Sequence, residues 1–420
     1  MRILLLNAPD KTGLYFYRKK SLHIGLLYLY AALKKKYDTR LIDMNYTDEK
    51  IERIINKAEP DVVGLSCYSS NRHIVFDICR RIKAVNKDMI IVLGGYHATF
   101  LYKQVLKNYP VDYIIVGEGE KSFPRLVESI RNKKKVPHGV AYIRNDKVSY
   151  IPSEESVNIN EFSPIDYTPY KKYLKSRKQR ESFIPVLSFS RGCVYNCKFC
   201  NRYVCEKYQR MSLKNAFDNI KNLADSLPFE RLIIADNNFY MKDRYFESIC
   251  NHIIREKYDY KLTARGRVDN ISNDKISLMQ KAGTDVIFFG VESGNQRILN
   301  LNNKQIKIQQ IIQAFDKTKK MSMDTSAYLI LGLYGETVST IKDTERLVSR
   351  INPTYLVLRK CVITPGCELY DNLVKTGQFN EENWLKRSPY FIYKGNLSST
   401  VLNYYKSKII LKHKILSGKK

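Results

Sequence analysis

The sequence predicts an α/β protein: a doubly wound parallel sheet in the first 150 residues, a second parallel strand-and-helix run resembling a partial barrel, and a small C-terminal helical extension. Two observations carry this reading. Apolar runs of strand length alternate with amphipathic runs of helix length in both halves, the pattern of parallel sheets covered by helices. The clusters of glycine and polar residues fall just after strands, where such sheets bind their ligands.

In the first half, strands are expected over 2–7, 39–43, 61–66, 89–94 and 112–116, and helices over 22–36, 48–57, 72–85, 99–108 and 121–132. The opening Met-Arg-Ile-Leu-Leu-Leu-Asn is too short an apolar run for a signal peptide and suits a buried first strand. Residues 140–151 read as a hairpin turning at Asn145-Asp146. Periodicity then fades, with Pro152, Pro164 and Pro169 marking a linker over 151–182 that packs between domains through Phe162, Tyr167 and Tyr170. Alternation resumes over 183–375, with strands at 184–189, 232–235, 261–264, 286–289, 327–331 and 355–358. From 376 to 420, Trp384, Tyr390 and Phe391 precede a basic helical stretch over 398–414. That stretch suits closing the barrel, touching substrate or lying on a membrane surface.

A chain of 420 residues holds two or three domains. Its formal charge of +29 invites a nucleic-acid reading, but the lysines are scattered over helix faces and no Arg-aromatic recognition motif accompanies them. A solvated, lysine-rich surface is the better account. No apolar run approaches the roughly 18 residues of a membrane span. Nine cysteines without a secretion signal indicate a reducing compartment, the cytoplasm, where thiols serve metals.

Cys193, Cys197 and Cys200 lie together in Ser-Arg-Gly-Cys-Val-Tyr-Asn-Cys-Lys-Phe-Cys. A four-iron cubane normally takes four thiolates, so three local ones leave one iron open to a small molecule. A zinc knuckle completed by Cys205 satisfies the same count. The spacing C-x3-C-x2-C, with Phe199 before the last cysteine, resembles the signature loop of the radical S-adenosylmethionine (SAM) superfamily. That resemblance implies a 4Fe-4S cluster on Cys193, Cys197 and Cys200, which cleaves SAM to a 5′-deoxyadenosyl radical. It also implies anaerobic life and an electron donor of flavodoxin or ferredoxin type. The motifs Ala-Arg-Gly-Arg-Val-Asp, Phe-Phe-Gly-Val-Glu-Ser-Gly and Leu-Gly-Leu-Tyr-Gly-Glu-Thr match the same superfamily, whose partial (β/α)6 TIM-like barrel suits six strands. By resemblance, Glu292 holds the SAM ribose or amino end, Arg267 lies near its carboxylate, Phe199 covers adenine, and Asp236, Gly332 and Glu336 complete the SAM site. A carboxylate facing hydroxyls and a guanidinium facing a carboxylate are apt for those ends. The local alternatives are an ion pair of Glu292 with a surface lysine and of Arg267 with Asp269. Two departures stand out: Tyr334 where relatives carry proline, and Asn237 where they carry a second aspartate.

In the first half, the strand ends carry Ser66, Cys67 and Tyr68; Gly94, Gly95, Tyr96 and His97; and Gly117, Glu118, Gly119 and Glu120. Glycines there let backbone approach a bulky ligand. Together these blocks resemble the Rossmann-like cobalamin (B12) domain that precedes the radical SAM domain in one large class. The resemblance implies that Ser66, Tyr68, Gly94, Gly95, His97, Gly117, Glu118, Gly119 and Glu120 bind cobalamin. Many such domains carry an Asp-x-His-x-x-Gly motif after the first strand. Here Asn7, Pro9, Asp10 and Lys11 stand there, so no histidine is expected on cobalt's lower face.

The expected function is a cobalamin-dependent radical SAM enzyme that methylates an unactivated carbon of a small-molecule or peptide substrate. Ring formation or rearrangement is the alternative within the class, and a non-catalytic cobalamin or redox sensor the alternative outside it. A tRNA methylthiolase needs three N-terminal cysteines, and only Cys67 and Cys79 precede the triad. Cys205, Cys250, Cys361 and Cys367 supply no auxiliary cluster.

Overall fold

The computed structural model describes residues 1–9, 22–153, 156–162, 164–201, 208–388 and 390–417. Asp10, Lys11 and Cys205 lie outside the described residues. The chain divides into two compact units. One comprises Met1–Ile184 with Tyr203–Phe229 and Glu382–Pro389; the other comprises Pro185–Arg202, Glu230–Glu381 and Tyr390–Lys420.

The first unit is built on a seven-stranded sheet. Five parallel strands, Arg2–Asn7, Asp38–Asp43, Val62–Ser66, Ile90–Gly94 and Tyr113–Ile115, lie in the spatial order second, first, third, fourth, fifth. This is a doubly wound order whose ligand crevice lies beyond the strands' carboxyl ends. Leu4, Leu5, Leu6, Val62, Val63 and Leu93 are buried, as strands covered on both faces require. Gly64 sits mid-strand because a Cβ there would press within 3.0 Å of Leu5 and Phe123. The hairpin Val140–Arg144 and Lys147–Ile151 adds two antiparallel strands, and both turn residues, Asn145 and Asp146, take positive φ. Polar residues able to occupy the left-handed region are what such a two-residue turn demands. The expected helix over 99–108 starts earlier and breaks in two at Leu101, giving Tyr96–Phe100 and Tyr102–Asn108.

Residues from the aperiodic stretch are built into this same unit. Tyr170 donates its hydroxyl to the buried Asp43 carboxylate at 2.8 Å, Tyr173 Oη accepts from the Asp43 amide, and Tyr46 stacks on Tyr173. The helix Leu213–Ser226 joins them through Asn219, whose side-chain oxygen accepts from the Ile165 amide at 2.7 Å.

The second unit contains six parallel strands in simple chain order: Val186–Leu187, Arg231–Ile234, Lys261–Gly266, Thr284–Glu292, Asp324–Leu331 and Tyr355–Lys360. The sheet stays open, and its last strand is an edge. The helix Ser399–Ser417 packs on that edge strand and on the helix Val338–Ile351. Glu345 receives Lys408 and Lys412 at 3.0 and 3.2 Å, and the ring of His413 donates to the Pro353 carbonyl at 2.7 Å. The extension thus covers part of the last strand and of the helix beside it.

Candidate functional site

The three cysteines occupy the loop that follows Val186–Leu187, at the carboxyl end of the second sheet. Several backbone tethers hold it. The Lys198 amide donates to Asn302 O and its carbonyl accepts from the Leu369 amide. Asn303 donates to Asn196 O, Asn201 to Pro365 O, and Asn237 to Gly192 O at 2.8 Å. That last bond requires an amide at 237, because an aspartate has no N–H to give. Tyr195 lies under the Arg267 guanidinium, 3.6 Å from carbon to ring centroid. Cys193, Cys197 and Phe199 are half-buried and Cys200 exposed.

Thiol chemistry fits a polynuclear metal group. Burial first, and then its neighbours Cys197 and Cys193, push the Cys200 thiol up to about 12, although the residue as a whole is exposed. Burial likewise raises Cys197, with Lys304 opposing. Neighbouring thiols become thiolates most readily beside positive charge, which iron held by the three would supply. Among the described residues no three His, Cys, Asp or Glu side chains form a group suited to one metal ion. A cubane asks less convergence, since each thiolate takes its own iron.

Around the loop, the other strand ends present a mixture of inward-turned and unsatisfied groups. Asp236 is buried. It accepts from the Phe189 amide at 2.9 Å and from the Ser190 hydroxyl, bracing the backbone that enters the cysteine loop, and burial raises its pKa to about 6. Glu336 accepts from the Gly332 and Leu333 amides and is raised to about 7, again mainly by burial. Its other oxygen has no partner among the described residues, and neither do both polar atoms of buried Asn238. Buried polar atoms are rarely left unpaired, so these open positions fit a polar ligand such as SAM. Gly332 needs its positive φ and missing Cβ, since a side chain would meet Tyr393 O at 2.9 Å.

Arg267 makes a bidentate pair with Asp269 at 2.9 and 3.0 Å and donates to the carbonyls of Lys304 and Gln305. The local pairing weighed from sequence is therefore present, and it fixes the guanidinium against Tyr195. Glu292 pairs at 2.8 Å with Lys304, and the two residues are 9% and 7% exposed. Glu292 also has φ of +66°, a costly conformation for a non-glycine residue and one that concentrates at functional sites. Lys304 was not singled out from sequence, where it is one lysine among many until the fold brings it to Glu292 and Cys197.

In the first unit, Ser66, Gly94, Gly95, His97 and Gly117 gather at the strand ends. The Cys67 amide donates to Gly94 O and the His97 amide to Cys67 O. Gly95, at φ +90°, has room for no side chain, because a Cβ would stand 2.8 Å from Cys67 O. The Gly117 amide donates to the Thr99 hydroxyl, Gly119 opens the helix Gly119–Arg131 with Glu118 at its cap, and Glu120 is buried. Tyr68 meets His23 Nε2 at 3.0 Å and its ring lies 5.3 Å from Tyr96. This glycine-lined cradle fits a large, flat ligand approached by backbone. His97 is buried, with Ser69 Oγ 3.1 Å from Nδ1 and the rings of Phe76 and Trp384 beside it. Burial, with Arg72 and His73, holds its pKa well below the ordinary value, so the ring is neutral. Asn7 turns inward to donate to Asp43 at 3.0 Å. Arg72 escaped the sequence reading, and Trp384, noted there only in the C-terminal extension, packs in this unit. Arg72 is fully buried, donates to the carbonyls of Ser69, Trp384, Lys386 and Ser388, and stacks 4.9 Å from the Trp384 ring.

A doubly wound sheet with a glycine-lined crevice, and an open parallel barrel with a three-cysteine loop, define a corrinoid-binding radical enzyme. Residues 19–127 match the B12 binding domain family and residues 187–348 the Radical SAM superfamily. The chain belongs to the radical SAM enzymes that carry a B12 binding domain, and its cofactors are a 4Fe-4S cluster, SAM and cobalamin. It is 26% identical to an uncharacterized methyltransferase of Pyrococcus horikoshii, over 92% of this chain and 86% of that one. It is 27% identical to the anaerobic magnesium-protoporphyrin IX monomethyl ester cyclase of Rubrivivax gelatinosus, over 86% and 68%. The radical S-adenosylmethionine methyltransferase TsrM from Kitasatospora setae, solved with tryptophan substrate and a SAM analog, shares the fold at a TM-score of 0.76. That likeness covers 90% of this chain and 76% of that one at 15% identity.

Proposed function

We propose that this enzyme transfers a methyl group to an unactivated carbon of a small-molecule or peptide substrate. The observation that carries the proposal is the tethered loop bearing Cys193, Cys197 and Cys200 in a chain that also holds a B12 binding domain. The bound cofactors supply a carbon radical to activate the substrate and a methyl group to transfer.

The residues divide by task. Cys193, Cys197 and Cys200 hold the cluster, and Phe199 lies beside adenine. Glu292, with Lys304, meets the polar ends of SAM, while Asn238 offers it an unpaired amide. Asp236 and Glu336 act one step back, since their carboxylates accept from the backbone of the loops that would touch SAM. Gly332 leaves room for that loop's turn. Arg267 keeps the cysteine loop in place through Tyr195. Ser66, Tyr68, Gly94, Gly95, His97, Gly117, Glu118, Gly119 and Glu120 form the cobalamin cradle, and neutral His97 supports it from within. In functional terms the chain reads as a cobalamin domain over 1–150, a connector over 151–182, a radical SAM domain over 183–375 and an extension over 376–420. A flavodoxin- or ferredoxin-type donor supplies electrons in the cytoplasm. Among the described residues no helix is long and apolar enough to cross a membrane. Ring closure is the second reading, supported by the similarity to a cyclase.

Anaerobic purification with cobalamin, followed by iron analysis and product analysis with SAM under reductant, tests the proposal. The wild type should bind about four irons per chain and release 5′-deoxyadenosine, and alanine at Cys193, Cys197 or Cys200 should abolish both. Iron loading and adenosyl product that persist in such a variant overturn the assignment. A product with a new ring and no added methyl group selects the second reading.

A further inference from the structure

We propose that the outer face of the helix Ser399–Ser417 docks on an anionic lipid bilayer. The inner face is accounted for, because Leu402, Tyr405, Ile409 and His413 are buried. A helix turned only to water would be polar on its other side. Here Tyr404, Leu411 and Ile415 stand 60%, 60% and 72% exposed. Their spacings of seven and four residues bring them into one narrow stripe on the side turned away from the buried one. Lys408 and Lys412, half-exposed and sharing the Glu345 carboxylate, border the stripe on one side and Lys414 on the other, so the pair keeps a net positive charge.

Charge selects the occupant. Residues 390–420 contain seven lysines and no aspartate or glutamate. A second copy of the chain would bring the same positive charge against this face, whereas anionic headgroups neutralise it. An aliphatic and aromatic stripe edged by lysines lets apolar side chains sink below the phosphates while the ammonium groups meet them. The contact is peripheral, because among the described residues no helix suits a crossing.

The test is co-sedimentation of the full chain, prepared anaerobically, with vesicles of phosphatidylcholine alone or mixed with phosphatidylglycerol. The wild type should bind the mixed vesicles, bind the neutral ones weakly and release as salt rises. The double variant Leu411→Gln/Ile415→Gln keeps the charge and removes the stripe's most exposed side chains, so its binding should fall about tenfold or more. Tyr404→Ser, nearer the start of the helix, should weaken binding in the same sense, and unchanged thermal melting of either variant excludes misfolding. Equal binding by wild type and double variant would reduce the effect to general attraction of a chain at +29 and overturn the proposal. So would absence of binding, or a wild-type dimer that ignores vesicles and is split by the double variant.

Discussion

Replacing Lys304 by methionine removes the partner of a buried carboxylate while filling nearly the same volume. In the wild type the ammonium sits 2.8 Å from Glu292 Oε1, and both side chains are about nine-tenths buried. At an effective dielectric of about 20, Coulomb's law gives about 6 kcal/mol of attraction at that distance. Removal of water from both ions takes back part of it, and breaking one half of such a pair costs about 3–5 kcal/mol. Methionine cannot answer the stranded charge, and the left-handed backbone of Glu292 adds strain that the pair now offsets. Urea unfolding of the cluster-free protein at pH 7.5 should therefore show a loss in that range. The double variant Lys304→Met/Glu292→Gln should regain most of it, because no charge is left uncompensated. A loss below about 1 kcal/mol, or a double variant no more stable than the single, would refute the buried-pair reasoning.

Glu336 titrates near 7 in the fold against 4.5 as its ordinary value, so the native state keeps a proton that the unfolded chain has released. Stability should accordingly fall as pH rises from about 4.5 to 7, by about 3 kcal/mol from this group. Glu336→Gln should flatten that part of the urea-midpoint profile; Asp236, near 6, contributes in the same sense over a slightly lower window and should remain. Trp384→Ala empties a fully buried site against Arg72 and His97 and should destabilise the first unit by about 3–5 kcal/mol, read by urea unfolding.

Much of the architecture was legible because strand and helix periodicities are local. The sixfold alternation, the first unit's strands and the Asn145-Asp146 turn all follow from patterns within a dozen residues. The cysteine spacing was legible for the same reason. What escaped depends on distant partners. Lys304 looks like one more lysine in a lysine-rich chain until the end of the strand Thr284–Glu292 meets it. Arg72 resembles an ordinary helix residue, yet its guanidinium is consumed by carbonyls more than 300 positions away. Asp236 and Glu336 were read as facing a ligand, whereas their oxygens also serve the backbone of the loops that carry them, a distinction that residue type alone cannot make. Asn237 reads as a departure from its relatives, and only the Gly192 carbonyl shows what the amide provides.

The stretch Glu382–Pro389 belongs to the first compact unit although its neighbours on both sides belong to the second. A ribosome makes residues 1–184 before residue 384, so the first sheet must wait for the Trp384 wedge until the whole parallel barrel has been made. Nascent Arg72 has no tryptophan to cover it during that interval. Gene truncation after the barrel's last strand would leave this vacancy permanent, and two halves expressed from separate messages would divide at the wrong place.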